Sequence, residues 1–507
     1  MHLMEYRFDD CDFIQVRDYV RRVLSLPVGD LAGNDDEADF SPSSCLEERL
    51  AARNVFQALL LRETLRYAQS MVPGHKARLS TEDISWRTIG QLEDIRHIPV
   101  SDRTFLLENY HNLIAPNVPI DSFRSTSGTS LSTKGKSENQ SRRLIIPANS
   151  EESEFCNLIH RRANSDLSSN EQKSITLDLR YPARRIVGHL NGHDNGNEII
   201  IPVPLILHYS TYSGGYDSFD HLFKILFEEF DIPGIASRAS SIIALPAFML
   251  RIIAQEAETR GIDLRKTEIA QISAAGYLMS EIEQVWVEKT WGARVHTSLS
   301  CAESNGMAFR CPKDRKLYHS SVAQIVEVLH PETHLPVAVG EDGLFCVTTL
   351  LPFQSVMPFI RYFNGDIVRR GPDVCSCGYV GQSVAFVGRI GRSVDLSNWL
   401  EPTAQRRFLG EGDCYEILDR CLGLPRGIQR KFRLDLDAHP REAAVTAVVE
   451  VNCGMPEPQA AELRTDFAEG CANLDLNWLA AVRERRISFN LNMRLPGDRE
   501  DYYVIGT

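Results

Sequence analysis

A chain of 507 residues with 43% hydrophobic and 24% charged residues is long enough for more than one globular domain, each with its own core. Its net charge of −13 argues against a nucleic acid or an anionic membrane as partner, because both reward clustered lysine and arginine. The N-terminal MHLMEYRFDDCDF carries acids where a secretory signal needs an apolar stretch. The longest apolar runs, Ile199–Leu207 and Ile242–Leu250, are far short of the roughly 20 residues that span a bilayer, and read as buried strand or helix. Twelve cysteines in such a chain fit a reducing, cytoplasmic setting, where close Cys pairs point to metal or chemistry.

In chain order, Phe13–Leu26 and Leu46–Met71 carry helix-like apolar spacing, and the acidic, Gly/Ser/Pro-containing Gly29–Ser44 between them reads as a loop. From Leu144 on, short β-rich runs (SITLDL, EIIIPVPLIL, ISAAGYL, ARVHTSL, AQIVEVL, GLFCVTTL) alternate with helical segments such as Asp217–Glu229 and Pro246–Arg260. That alternation predicts an α/β body of layered sheets and helices. Beyond Gly388 the pattern changes to the strands RKFRLDLD and AVTAVVEVN, a helical stretch from Pro456 to Arg485, and the alternating ISFNLNMRL. This predicts a large N-terminal domain, 1–390, and a small α+β C-terminal domain, 391–507.

Three groups of residues carry chemistry. Ser125–Lys136, STSGTSLSTKGK, combines hydroxyls and glycines that let backbone amides approach phosphate oxygens. It lacks the G-x-x-x-x-G-K-[ST] pattern of a P-loop, and on composition alone it equally suits a flexible polar loop. Cys311, His319, Cys375 and Cys377 offer three thiolates and an imidazole, enough to close a tetrahedral zinc shell. The competing reading is a set of unconnected buried thiols and a surface histidine. Glu303 follows a predicted strand, Asp366 lies in PFIRYFNGD and Arg389 in FVGRIGR. A carboxylate at a strand end can hold Mg2+, a second can accept hydrogen bonds from a ribose diol, and an arginine fork can bridge phosphate and ribose oxygens.

Taken in order, these segments resemble the phenylacetate–CoA ligase-like branch of the adenylate-forming superfamily. STSGTS resembles its phosphate loop, and WGARVHTSLSCAE places Glu303 on its glutamate. CPKDRKLYH and CSCG resemble its metal-ligand segments, VGEDGLFCVTTL…MPFIRYFNGD its run ending in Gly-Asp, and VGRIGR its GR-x-DD element. The resemblance spans about Ser125 to Arg392. It implies ATP-dependent formation of an acyl-AMP from a carboxylic acid with release of pyrophosphate, then transfer to a thiol such as coenzyme A. An amide synthetase of specialised metabolism using an amine acceptor, and a nucleotide-binding pseudoenzyme, are the alternatives.

Under this resemblance Thr126, Ser127, Gly128, Thr129 and Ser130 cradle phosphates, and Glu303 holds Mg2+. Asp366 holds the ribose and Arg389 the nucleotide, while Ala275, Gly276 and Ser300 line the adenine and acyl sites. The zinc at Cys311, His319, Cys375 and Cys377 is structural. It implies no nucleic-acid or membrane partner and leaves a homodimer open.

The chain departs from the family at several points. LSTKGK follows Thr129-Ser130 where the family has Gly-Lys-Pro, Leu299-Ser300 replaces its Tyr-Gly, and Gly391-Arg392 replaces its acidic pair. After residue 400 the only lysine is Lys431, so the family's C-terminal catalytic lysine is missing, and Arg499, in a Gly-Asp-Arg-Glu-Asp turn, is the candidate substitute.

Overall fold

The computed structural model describes residues 16–21, 45–125, 144–163, 173–180, 193–194, 198–204, 218–230, 234–245, 247–276, 278–304, 308–422, 428–451, 455–494 and 503–504. Gly29–Ser44, Thr126–Ser130 and Arg499 lie outside these residues.

The lead-in comprises helices α1 (16–21), α2 (Leu46–Met71), α3 (Pro73–Thr81) and α4 (Arg103–Asn109), the last capped by Asp102, whose carboxylate accepts from Phe105 N. A hairpin of β1 (Ser122–Ser125) and β2 (Ile145–Ala148) precedes α5 (Ser150–Ala163). The α/β body follows with β3 (Lys173–Arg180), β4 (His193–Asp194), β5 (Glu198–Pro204), α6 (Ser218–Phe227), β6 (Ile235–Leu245), α7 (Phe248–Thr259), β7 (Gln271–Ala274), α8 (Glu281–Trp291) and β8 (Arg294–Leu299). Then come β9 (Ala308–Arg310), β10 (Leu317–Ser320), β11 (Gln324–Leu329), β12 (Asp342–Thr349), β13 (Tyr362–Arg370) and β14 (Ser383–Arg389). The C-terminal part holds β15 (Val394–Asp395), β16 (Phe408–Leu409), α9 (Glu411–Leu422), β17 (Ile428–Ala438), β18 (Ala443–Val451), α10 (Glu457–Ala472), α11 (Leu476–Arg483), β19 (Ile487–Arg494) and β20 (Tyr503–Val504).

Strands β3 to β14 form one 12-stranded sheet, in the order β11-β12-β13-β14-β10-β9-β8-β7-β6-β3-β5-β4. From β5 to β8 neighbours pair in parallel, and from β8 to β9 onward they pair antiparallel. The parallel half is covered by α6, α7 and α8, whose Leu222, Leu250, Ile253 and Val287 pack on Leu177, Ile242, Ile272 and Val295. Parallel strands need such helical crossovers, which is why β-rich runs alternate with helices in the sequence. Ser280 caps α8 by accepting from Glu283 N at 3.0 Å, and Gly292, with φ +67°, ends it.

Among the described residues of the C-terminal part, a second hydrophobic core forms around Val394, Leu418, Phe432, Val445, Phe467, Trp478 and Phe489. Their four-stranded sheet runs β19-β18-β17-β20. Along β19, Ile487, Phe489 and Leu491 are buried while their alternate neighbours are exposed, as ISFNLNMRL predicts.

Two sequence readings are corrected here. The helical stretch from Pro456 to Arg485 is two helices, because Asp475 turns its carboxylate onto Asn477 N and starts α11 afresh. The sequence reading also had no counterpart for α9, which packs on α10 and β14.

Candidate functional site: a carboxylate–arginine cluster and a Cys/His knuckle

In an open α/β sheet, ligands bind beyond the carboxyl ends of the parallel strands, where the topology changes. The structure puts two of the predicted segments there. Ala275 and Gly276 follow β7. Ala275 N donates to Ala244 O at 3.3 Å, its own carbonyl accepts from Ala247 N, and Gly276 sits at φ +71°, a conformation that favours glycine. Ser300 and Glu303 follow β8, at the switch from parallel to antiparallel pairing, and Ser300 is exposed.

Asp366 and Arg389 face each other as register partners on β13 and β14. Arg389 Nε donates to Asp366 Oδ1 at 2.7 Å, and Asn364 Nδ2 donates to Asp366 Oδ2 at 2.7 Å. Asp366 and Glu303 are both buried. Burial raises the pKa of Glu303; Arg389 and Arg103 oppose that rise and Asp366 adds to it. Arg103, from α4, brings Nη1 to 4.0 Å from Glu303 Oε1, and the Tyr362 hydroxyl donates to the same oxygen at 3.5 Å. Gln354 Nε2 donates to the Glu303 carbonyl at 2.8 Å and so fixes the turn that carries it. Asp366 in turn raises the pKa of Arg389, with a contribution from Glu411 at the start of α9. The structure thus brings Glu303, Asp366 and Arg389 together as one electrostatic unit. Asn364, Arg103, Tyr362 and Glu411 join it without having been singled out by sequence. Asn364 lay inside the quoted RYFNGD run, and its position two residues before Asp366 was the available signal.

The knuckle lies on the same sheet. His319 is on β10, Cys311 follows β9, and Cys375 and Cys377 lie in the loop before β14. One ligand atom from each of the four lies within 4.8 Å of the others. The Cys311 and Cys375 sulfurs are 3.7 Å apart, and Cys377 Sγ is 3.3 Å from His319 Nε2. A tetrahedral zinc, with bonds of about 2.3 Å to sulfur and about 2.0–2.1 Å to nitrogen, sets such atoms about 3.5–3.8 Å apart, so the donor set fits. Asp314 N donates to Cys311 Sγ at 3.2 Å and Tyr379 N to Cys377 Sγ at 3.5 Å, hydrogen bonds that suit thiolate sulfur. Burial lowers the His319 pKa to about 4, which keeps the imidazole in its ligating form.

The Tyr379 ring stacks on His319 at 4.1 Å between centroids. Arg53 of α2 covers the other side of the knuckle: it lies over Tyr379 and donates to Ser320 O at 2.7 Å and Val380 O at 3.1 Å. Gly381, at φ +129°, makes room for it, since a Cβ there would stand 2.4 Å from the guanidinium carbon.

The arrangement is thus a mixed sheet whose switch point carries a glutamate beside an Asp–Arg pair, followed by a small α+β unit. No family model matches the chain. The phenylacetate-coenzyme A ligase of Thermus thermophilus is 22% identical over 344 residues, covering 66% of this chain and 69% of that protein. Among solved structures, 2-hydroxyisobutyryl-CoA ligase in the postadenylation state with 2-HIB-AMP superposes at a TM-score of 0.58 and 15% identity, covering 90% of this chain and 87% of that one. An acyl acid amido synthetase superposes at a TM-score of 0.52 and 12% identity, covering 91% and 92%. The chain shares the fold of these adenylate-forming enzymes.

Proposed function

We propose that the protein activates a carboxylic acid with ATP as an acyl-AMP and then passes the acyl group to a thiol such as coenzyme A. The observation that carries this reading is the cluster in which buried Glu303, after β8, lies beside the ion pair of buried Asp366 and half-buried Arg389 on β13 and β14. In the first step an oxygen of the acid attacks the α-phosphorus, the bond to pyrophosphate breaks, and negative charge grows on the phosphoryl oxygens. Arg389, oriented by its hydrogen bond to Asp366, would bring its guanidinium charge to bear on those oxygens. Asp366 keeps a free lone pair on each oxygen for a ribose diol. Ala275 and Gly276 flank the adenine, and Ser300 the acyl group. Thr126, Ser127, Gly128, Thr129 and Ser130, which follow the β1 end of the hairpin, would take the phosphates.

Mg2+, when bound, neutralises phosphate charge. Glu303 would hold it, because a hard cation prefers carboxylate oxygen and would relieve the burial cost that raises this group's pKa. A zinc at Cys311, His319, Cys375 and Cys377 has a closed shell and a structural role: it ties the turn after β9 to the loop before β14. We place the boundary of the large and small domains at 390/391. Among the described residues no helix is long and apolar enough to cross a membrane. The test is acid-dependent ATP–pyrophosphate exchange across aryl, amino-aryl and short aliphatic acids. Exchange with one acid class supports the reading, and none with any acid removes it. Release of AMP with coenzyme A or with an amine then decides between the thioester and the amide product.

A further inference from the structure

Arg124 is the third residue of β1, where its backbone pairs with Ile146 of β2. Its Nε, Nη1 and Nη2 are all buried without a hydrogen-bond partner. A guanidinium is too costly to bury unpaired unless something else balances it. Four groups face it electrostatically: Glu152, Cys156, Cys301 and Glu303.

The two carboxylates among them are already held by others. Glu152 Oε1 accepts from Ser355 N at 2.6 Å, Val356 N at 2.7 Å and the Ser355 hydroxyl at 3.2 Å. Glu303 Oε1 faces the Tyr362 hydroxyl and Arg103. Burial pushes the thiols of Cys156 and Cys301 up to about 12, so they are neutral and weak acceptors. Arg124 thus has nearby charge that tolerates its burial and no acceptor that uses its donors. Its five N–H groups form a planar fork suited to two oxygens of one oxyanion.

We propose that Arg124 binds an oxyanion of the reaction, a phosphoryl group of the nucleotide or the carboxylate of the acid, beside Glu303. The proposal deepens the adenylation reading and names a substrate-contacting residue for it. Neither Glu152 nor Glu303 is displaced when the anion arrives, because each keeps its present partners.

The test uses the full chain and Arg124→Met, which keeps the stem and removes the fork. Calorimetry with ATP, AMP and adenosine, together with the KM for the acid in pyrophosphate exchange, separates the two sources. If the phosphoryl group is the ligand, ATP and AMP bind about 10- to 100-fold more weakly while adenosine binds as in wild type. If the carboxylate is the ligand, nucleotide affinities hold and the KM for the acid rises by a similar factor. Unchanged values for every ligand overturn the proposal, as does a loss of melting temperature with all affinities retained, which is the signature of a structural arginine.

Should Arg124→Met fail to fold, Arg124→Lys keeps the charge and loses the fork. It should weaken the same ligand several-fold, and full affinity for all of them overturns the assignment. Inorganic pyrophosphate and acetate serve as probes that do not depend on adenylation. Either one raising the melting temperature of wild type and not of the variant supports Arg124 even if the chain shows no exchange. Both raising it equally in the two proteins overturns it.

Discussion

Asp366→Ala tests the site most directly, because stability and ligand binding respond to it separately. The substitution removes the acceptor of two hydrogen bonds, from Arg389 Nε at 2.7 Å and Asn364 Nδ2 at 2.7 Å. It also leaves the Arg389 guanidinium beside Glu303 without the carboxylate that most favours its charge. Removing one partner of a fully buried pair costs about 3–5 kcal/mol; the Arg389 side chain keeps 22% exposure, so solvent screens part of that loss and about 2–3 kcal/mol is expected. If the same carboxylate accepts from a ribose diol, ATP affinity falls by a further ~1.5–3 kcal/mol, roughly 10- to 150-fold. Urea denaturation measures the first quantity and calorimetry with ATP the second. Lost stability with unchanged ATP affinity would show that Asp366 only positions Arg389. Unchanged stability would refute the energetic reading of the pair itself.

Three further outcomes follow from the same geometry. Glu303→Gln, which keeps shape and loses charge, should lower the Mg2+-dependent exchange rate by about 100-fold or more with little change in melting temperature, measured by exchange kinetics and calorimetric scanning. Elemental analysis should find about one zinc per chain, and Cys377→Ser or chelation should lower the melting temperature before activity falls; protein free of zinc with all four ligands intact would remove the site. Glu283, buried where α8 meets α9, has its pKa raised by burial from 4.5 to about 8. The native state therefore holds this proton more tightly than the unfolded chain, so stability falls as pH rises from about 4.5 to about 8 and levels off above it. In Glu283→Gln urea denaturation across that range should lose this slope and show higher stability at pH 8.

What the sequence disclosed about this molecule depends on how local each signal was. The short β-rich runs SITLDL, ARVHTSL and GLFCVTTL located β3, β8 and β12 because strand-favouring composition is a local signal. The order of the strands was not legible. β14 lies between β13 and β10, and β3 between β6 and β5, through long-range pairings that leave no trace in spacing. Glu303, Asp366 and Arg389 were readable because each sits in a short run of recognisable residues. Arg103, Glu152 and Glu411 were not, since helices α4, α5 and α9 bring them in from distant segments and each alone looks like a surface charge. Helix α9 itself was hidden by its acids. Glu411, Asp413 and Asp419 are buried beside Cys414, Leu418 and Ile417, so polar residues occupy positions that the apolar periodicity would have claimed. Arg124 stands one residue ahead of the quoted STSGTS run and was passed over because attention stopped at the hydroxyls.

The charge balance of the site bears on the missing C-terminal lysine. Around Glu303 and Asp366 stand the guanidinia of Arg103, Arg124, Arg389 and Arg392 and the carboxylates of Glu152, Glu303, Asp366 and Glu411. Four of each nearly cancel, and a polyphosphate arriving there needs further positive charge. A bound Mg2+ would supply some of it, and in the family that the sequence resembles a lysine from the small domain supplies the rest. Lys431 is the only lysine after residue 400; its backbone pairs with Val504 in the small sheet, so it lies within a strand and not on a reaching loop. Arg499 falls between β19 and β20, outside the described residues, and is our candidate for the missing charge. Arg499→Ala should slow acyl-AMP formation from ATP by about 10-fold or more and leave transfer from pre-made acyl-AMP unchanged, because only the first step builds charge on the α-phosphate. Single-turnover assays of the two half-reactions separate them. Equal slowing of both would point to damage to the small domain, and wild-type rates in both would leave Arg124 and Arg389, with the bound cation, as the source of phosphate stabilisation.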